Sequence, residues 1–294
     1  MSRRALLRLA ACAPLAGALP RPATAELQLG SATLSTVSDG NLILPGSFIF
    51  DAMPQAELAD ILNGFGLPQD RLMPECNLAL YRDGTNTVLF DVGAGPDFML
   101  TAGEVSTNLD ALGITPEDVT HVVFTHAHPD HIWGLLDDFD DPVFYNATYM
   151  MGPETVNTIG EARAAFAVGA KRRMRAIEDQ VQLFDGGAEI LPGIAAFACP
   201  GHTPGHMAFE VRQGANAALI VGDAIGNHHV AFRRPDWESG SDQDMALAVQ
   251  SRRVLFDRLV NEDMTLVGFH LPDGGIVRAV KDIDGFRFVG EATQ

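Results

Sequence analysis

The chain has 294 residues, 47% of them hydrophobic, and a formal charge of −18 at pH 7. That length and apolar content can bury a large core, arranged as one large domain or two small ones. The acidity repels phosphate backbones and anionic membrane surfaces, so nucleic acid is excluded as an expected partner, and three cysteines imply no disulfide framework.

Residues 1–25 read as an export signal peptide: a basic start with Arg3-Arg4, an apolar stretch over 9–19, and Ala23-Thr24-Ala25 before the cut. The paired arginines point to the twin-arginine route and a periplasmic or secreted product. Pro14 interrupts the apolar stretch, which is too short to span about 30 Å of hydrocarbon, so no membrane association is expected after cleavage. The leader holds four of the arginines and no acid, which takes the mature charge to −22. Cys76 and Cys199 remain; Cys199 reads as facing the core, although an oxidising compartment permits a bridge between the two. The mature chain, 26–294, reads as one domain.

Residues 27–37 and 41–44 read as strands and 54–63 as a helix, with Pro54 early in it and Gly64 just past its end. Between them Pro45-Gly46-Ser47-Phe48-Ile49-Phe50 is an apolar loop bounded by breakers. It suits a pocket lid, a contact in a homodimer, or ordinary packing. Residues 76–81 and 87–91 form a hairpin around Asp83-Gly84, 108–113 a helix closed by glycine, and 120–124 a strand. Residues 153–180 are helical, with Lys171-Arg172-Arg173-Met174-Arg175 as a solvated face making local ion pairs. Strands follow over 181–184, 194–198, 207–211 and 218–221, then a helix over 242–260 and a last strand over 264–269. Two β-rich halves, each backed by helices, support a layered α/β arrangement.

The strand over 120–124 runs into Thr125-His126-Ala127-His128-Pro129-Asp130-His131. Zinc favours imidazole nitrogen and carboxylate oxygen, and a catalytic zinc keeps one position free for water. In extended chain, side chains at i and i+2 share a side, so His126 and His128 can grip one ion while Asp130 and His131 turn towards a second. His202, Asp223 and His270 each end an apolar run and complete a candidate set for two ions. Asp91, at the end of its own strand, is placed to orient a ligand histidine. His206 either lines the pocket or hydrogen-bonds backbone, and His121, His228 and His229 read as structural or rim residues. Phe48, Phe50, Trp133 and Phe232 are candidates for a hydrophobic pocket or for the core.

His126, His128, Asp130 and His131 match HxHxDH without a gap, and on this motif the chain resembles the metallo-β-lactamase superfamily. The resemblance implies a four-layer αββα sandwich and a small-molecule substrate. It assigns His126, His128 and His202 to one zinc, Asp130, His131 and His270 to another, and Asp223 to both. It also implies a hydrolase in which a metal-bridging hydroxide cleaves an ester, lactone or phosphotriester, with Asp130 as a catalytic residue that orients the nucleophile and passes a proton to the leaving group. Iron or manganese suits the same ligands.

Thr203-Pro204-Gly205-His206, Asp242-Gln243-Asp244 and His270-Leu271-Pro272 look most like the exported branch containing methyl parathion hydrolase. Quorum-signal lactonases of the superfamily often carry a tyrosine where this chain has Gly226. Methyl parathion hydrolase-like chains carry an aromatic in the segment that here reads Leu271-Pro272-Asp273-Gly274-Gly275. A β-lactamase and an iron-dependent oxidoreductase are the alternative activities on the same scaffold.

Overall fold

The computed structural model describes residues 25–161 and 165–290; apart from Ala25, the predicted leader lies outside them. In chain order, β1 (Glu26–Leu29) and β2 (Ala32–Asn41) form a hairpin. An excursion of β3 (Leu44–Pro45), α1 (Gly46–Phe50), α2 (Gln55–Gly64) and β4 (Arg71–Leu72) follows. Then come β5 (Glu75–Arg82), β6 (Thr87–Phe90), α3 (Val105–Ala111), β7 (His121–Val123), α4 (Pro129–Ile132), β8 (Thr148–Met151), α5 (Pro153–Glu161), α6 (Ala165–Ile177) and β9 (Val181–Leu183). The second half runs β10 (Glu189–Leu191), β11 (Ile194–Ala198), β12 (Met207–Gln213), β13 (Asn216–Ile220), α7 (Val230–Arg233), α8 (Met245–Asn261), β14 (Thr265–Val267), β15 (Ile276–Lys281) and β16 (Phe286–Gly290).

The strands make two seven-stranded sheets, ordered β1-β2-β5-β6-β7-β8-β9 and β10-β11-β12-β13-β14-β15-β16. Side chains alternate across a strand, and here both faces are buried. On β5, Leu78 and Leu80 join a cluster with Leu109 of α3 and Met174 and Ile177 of α6. Ala79 and Tyr81 point the other way, into a core shared with Phe209, Val211 and Ile220 of the second sheet. The second sheet's outer side, Ala208, Leu219 and Leu266, packs on Leu255, Phe256 and Leu259 of α8. Helix, sheet, sheet, helix is therefore the layer order, the four-layer αββα sandwich. Burying one such Leu or Phe contributes about 1.5–3 kcal/mol, so the three clusters together supply most of the driving force.

Several elements differ from their sequence readings. The run over 27–37 is broken by a reversal at Gly30-Ser31, giving two paired strands. The Pro45–Phe50 loop is mostly the short helix α1, and the excursion around it closes on a fourth cluster of Phe50, Met53, Leu58, Leu62 and Val230. Arg173 is not on a solvated face: it is buried, lies 4.7 Å over the Trp133 ring and donates to the Trp133 carbonyl. Cys76 and Cys199 are both free, buried thiols. No helix among the described residues is long and apolar enough to cross a membrane.

Candidate metal centre

All seven sequence-nominated ligands come together at one edge of the sandwich, in two groups that share Asp223: His126, His128, His202 and Asp223, and Asp130, His131, His270 and Asp223. Within each group the donor atoms lie within 4.8 Å of one another. The first sheet supplies four of them from the turn after β7. His126 and His128 leave it in extended chain, and Pro129 opens the one-turn helix α4, which carries Asp130 and His131. The second sheet supplies His202 beyond β11, Asp223 beyond β13 and His270 beyond β14.

Hydrogen bonds behind the ligands fix which nitrogen of each ring faces inward. His131 Nδ1 sits 2.8 Å from Asp91 Oδ2, His202 Nδ1 3.1 Å from Asp242 Oδ1 and His270 Nδ1 2.8 Å from the Glu75 carbonyl. Each partner accepts a hydrogen bond from Nδ1–H, which makes Nε2 the nitrogen that would take a cation. The Thr125 hydroxyl donates to Asp91 and is 3.0 Å from His126 Nδ1, so it accepts from that ring and frees its Nε2 as well. Asp91 does this from a left-handed backbone (φ 65°) that few residues other than glycine adopt.

The inner atoms converge closely. His202 Nε2 lies 3.0 Å from His128 Nδ1 and 3.3 Å from Asp223 Oδ2. His131 Nε2 is 3.1 Å from Asp223 Oδ1, and His270 Nε2 is 3.2 Å from Asp130 Oδ2. Four of these buried donor atoms, His126 Nε2, Asp130 Oδ2, His131 Nε2 and Asp223 Oδ1, have no hydrogen-bond partner among the described residues. Buried polar atoms are normally paired, so a cluster of unpaired lone pairs aimed at one space fits bound cations. The donors are imidazole and carboxylate without thiolate, a set suited to two divalent metals of the zinc, iron or manganese type.

The electrostatics agree. Burial raises the pKa of Asp223, but His270 and His131 outweigh it and hold the carboxyl well below its ordinary value. Burial lowers His202, yet Asp223 and Asp242 overcome it and raise the ring to about 9. His131 and His270 are raised for the same reason. His128, by contrast, is pushed down to about 3 by burial and by His202. Without metal, protons on three imidazoles balance the buried carboxylates; cations would replace them.

His206 is not a donor to the cluster. Its Nε2 accepts the backbone N–H of Asp223 at 3.1 Å and its Nδ1 is 3.1 Å from Cys199 Sγ. It thus holds the shared aspartate by its main chain. Gly222 makes that approach feasible: its φ is +50° and a Cβ there would lie 2.8 Å from His206 Nε2.

A cavity of about 680 Å³ opens onto the cluster, with His128, Asp130, His202, Asp223 and His270 in its wall. The rest is mainly apolar and comes from the excursion, with Leu44, Phe48, Phe50, Met53 and Leu72, and from the segment after Asp223, with Val230, Ala231 and Trp237. Of the four aromatics nominated from sequence, Phe48 and Phe50 line it. Trp133 and Phe232 do not, because they pack into the helix-side cores. The sequence reading also left His228 and His229 at the rim or in the framework, and both line the cavity. Asp242 received no role, since its contact with His202 spans 40 residues and no local pattern encodes it.

The profile of the metallo-beta-lactamase superfamily matches residues 74–281. The chain belongs to that superfamily. Among curated relatives, an uncharacterised protein of Mycobacterium tuberculosis is 29% identical over 202 residues, covering 65% of this chain and 85% of the relative. An N-acyl homoserine lactonase of Bacillus cereus is 24% identical over 225 residues, covering 74% and 79%. Among solved structures, AidC, a dizinc quorum-quenching lactonase in complex with a hexanoyl-homoserine product, superposes with a TM-score of 0.87 at 22% identity, covering 92% of this chain and 98% of AidC. These structural likenesses establish the fold. Every sheet and helix layer described above is therefore that of this superfamily.

Proposed function

We propose that this superfamily member is a dinuclear metal-dependent hydrolase that cleaves an ester, lactone or phosphotriester bond joined to an apolar group. The observation that carries the reading is the apolar cavity ending on two donor clusters that share Asp223. Bound divalent metals would supply a hydroxide near neutral pH and polarise the scissile oxygen. His126, His128 and His202 hold the first ion, Asp130, His131 and His270 the second, and zinc is the proposed metal. Asp130 borders the cavity and stays ionised against His131 and His270. That leaves it free to orient the attacking water, accept its proton and return it to the leaving oxygen. The excursion of α1 and α2 binds the apolar arm and excludes water from it.

Lactones are favoured by the lactonases among the relatives, while aryl phosphotriesters follow from the methyl parathion hydrolase-like pattern. The twin-arginine leader and processing after Ala25 belong to the same proposal. The test is a panel of lactones, aryl esters, phosphotriesters and a chromogenic cephalosporin on the purified mature protein, with metal content measured in parallel. A preference of about a thousandfold within the panel, roughly 4 kcal/mol in the barrier, assigns the class. Iron content with oxygen uptake and no hydrolysis overturns the reading.

A further inference from the structure

Arg252 of α8 is 5% exposed and borders the cavity, yet the proposed hydrolysis gives it no task. Its donors are nearly all engaged. Nε donates to the Ala224 carbonyl at 3.1 Å, Nη1 to the carbonyls of Pro235 at 3.3 Å and Trp237 at 2.9 Å, and Nη2 to Asp242 Oδ2 at 2.9 Å. A guanidinium presents five N–H donors in a rigid fork, so one side chain holds four partners in a fixed mutual geometry.

The partners fall into two sets. The three carbonyls stand at the start and the end of the segment 224–237, whose middle, from Gly226 to Arg234, supplies much of the cavity wall. Trp237 lines the cavity too and packs on the cluster of Phe50, Met53, Leu58 and Leu62 from the excursion. Arg252 therefore closes this loop across its base. The fourth partner, Asp242, uses its other oxygen to contact His202 Nδ1 at 3.1 Å. Loop closure and ligand orientation meet in one cation.

Helix packing alone does not call for that cation. The start of α8 is seated on the His202 loop by other groups: the backbone N–H groups of Gln243 and Asp244 donate to the carbonyls of His202 at 3.2 Å and Gly201 at 2.9 Å, and Ser251 Oγ donates to the Pro200 carbonyl at 2.6 Å. Leu255, Phe256 and Leu259 then bury the helix against the second sheet. A buried charge is a weak source of stability compared with an apolar side chain of similar volume. What an apolar side chain cannot do is grip three carbonyls and a carboxylate at once.

We infer that Arg252 is a positioning residue that sets two properties of the site together: the affinity of the first metal, through Asp242 and His202, and the fit of the cavity wall, through the base of the 224–237 loop. The inference rests on the proposed hydrolase reading for the metal and for the use of the cavity. Arg252 acts through its partners and takes no part in breaking the substrate bond.

The experiment compares wild type, Arg252→Met, Arg252→Lys, Asp242→Ala and the double variant Arg252→Met/Asp242→Ala. Competition with a chromophoric chelator reads zinc affinity, and fluorescence titration with N-phenyl-1-naphthylamine, a neutral apolar probe, reads the cavity of the zinc-loaded protein. Arg252→Met is expected to lower zinc affinity at one site about tenfold and to weaken the probe severalfold. Asp242→Ala is expected to weaken zinc and leave the probe unchanged, because the three carbonyls still hold Arg252. Since Arg252 reaches the metal through Asp242, the double variant should bind zinc no more weakly than Asp242→Ala alone. Arg252→Lys keeps a cation without the fork and should fall between wild type and Arg252→Met on both readouts. Additive zinc losses in the double variant, a loss confined to one of the two readouts in Arg252→Met, or a lowered melting temperature with both affinities unchanged overturns the inference. Should Arg252→Met fail to fold, Arg252→Lys takes its place in the same cycle. A wild type that binds no zinc sinks the hydrolase reading separately, and the probe titration of the variant against wild type then decides alone; a wild type that binds no probe leaves the decision to the zinc cycle.

Discussion

Asp242 and His202 form a buried contact, Oδ1 to Nδ1 at 3.1 Å, and the other oxygen of Asp242 accepts from Arg252 at 2.9 Å. Arg252 in turn donates to the carbonyls of Ala224 and Trp237. These contacts tie His202, a candidate metal ligand, to α8 and to the loop that follows Asp223.

Replacing Asp242 with alanine should therefore weaken the first metal site without touching a donor atom. Loss of the partner that orients a metal-bound imidazole typically costs 10–100-fold in affinity, and about that loss is expected at one of the two sites. Competition titration with a chromophoric zinc chelator reads it. Unchanged affinity at both sites would show that Asp242 does not set the orientation of His202.

Truncation of His126 tests the ligand set itself. His126 is completely buried and its Nε2 has no hydrogen-bond partner among the described residues, so His126→Ala would remove a donor to the proposed first ion only. Elemental analysis should find close to one metal per chain and activity near background. Two tightly held metals per chain in this variant would refute the assignment.

His206 makes a different prediction, because it touches the main chain of Asp223 and not a metal. His206→Ala leaves a buried N–H without its acceptor and opens a cavity between Cys199 and Gly222. The expected cost is about 2–4 kcal/mol in urea unfolding of the metal-free protein. Two metals should still bind, only more weakly. A fully stable variant would show that another group takes over the Asp223 amide.

The four candidate ligands after β7 were legible because they fall within six positions and follow a short apolar strand; the residue types and the local geometry are written in the same segment. His202, Asp223 and His270 were legible for a related reason, each ending a strand-like run. The pocket was legible only in part: Phe48 and Phe50 of the apolar Pro45–Phe50 segment were nominated and line it. The rest of its wall comes from the β3–β4 pair, α2 and the segment from Gly226 to Asp242, where short elements leave no periodicity to read. Asp242 was missed because its contact with His202 depends on packing between segments 40 residues apart. Arg173 was misassigned because a run of basic residues looks solvated until Trp133 is seen lying under its guanidinium.

Protonation of the cluster gives the last prediction its sign. In the metal-free protein His202 is raised from 6.5 to about 9, and His131 and His270 move the same way. A folded-state pKa above the unfolded value gives stability that is complete below pH 6.5 and disappears as pH rises through 9. For His202 alone the ceiling is roughly 3 kcal/mol. Urea unfolding of chelator-treated protein should therefore show stability falling between pH 6.5 and 9. Metal binding must expel the same protons, so apparent metal affinity should rise over that window, by up to about tenfold per pH unit for each proton released. The metal-loaded protein, whose rings hold cations in place of protons, should keep its stability across the window. Parallel pH dependence in the loaded and metal-free forms would mean that these histidines do not bind the metals.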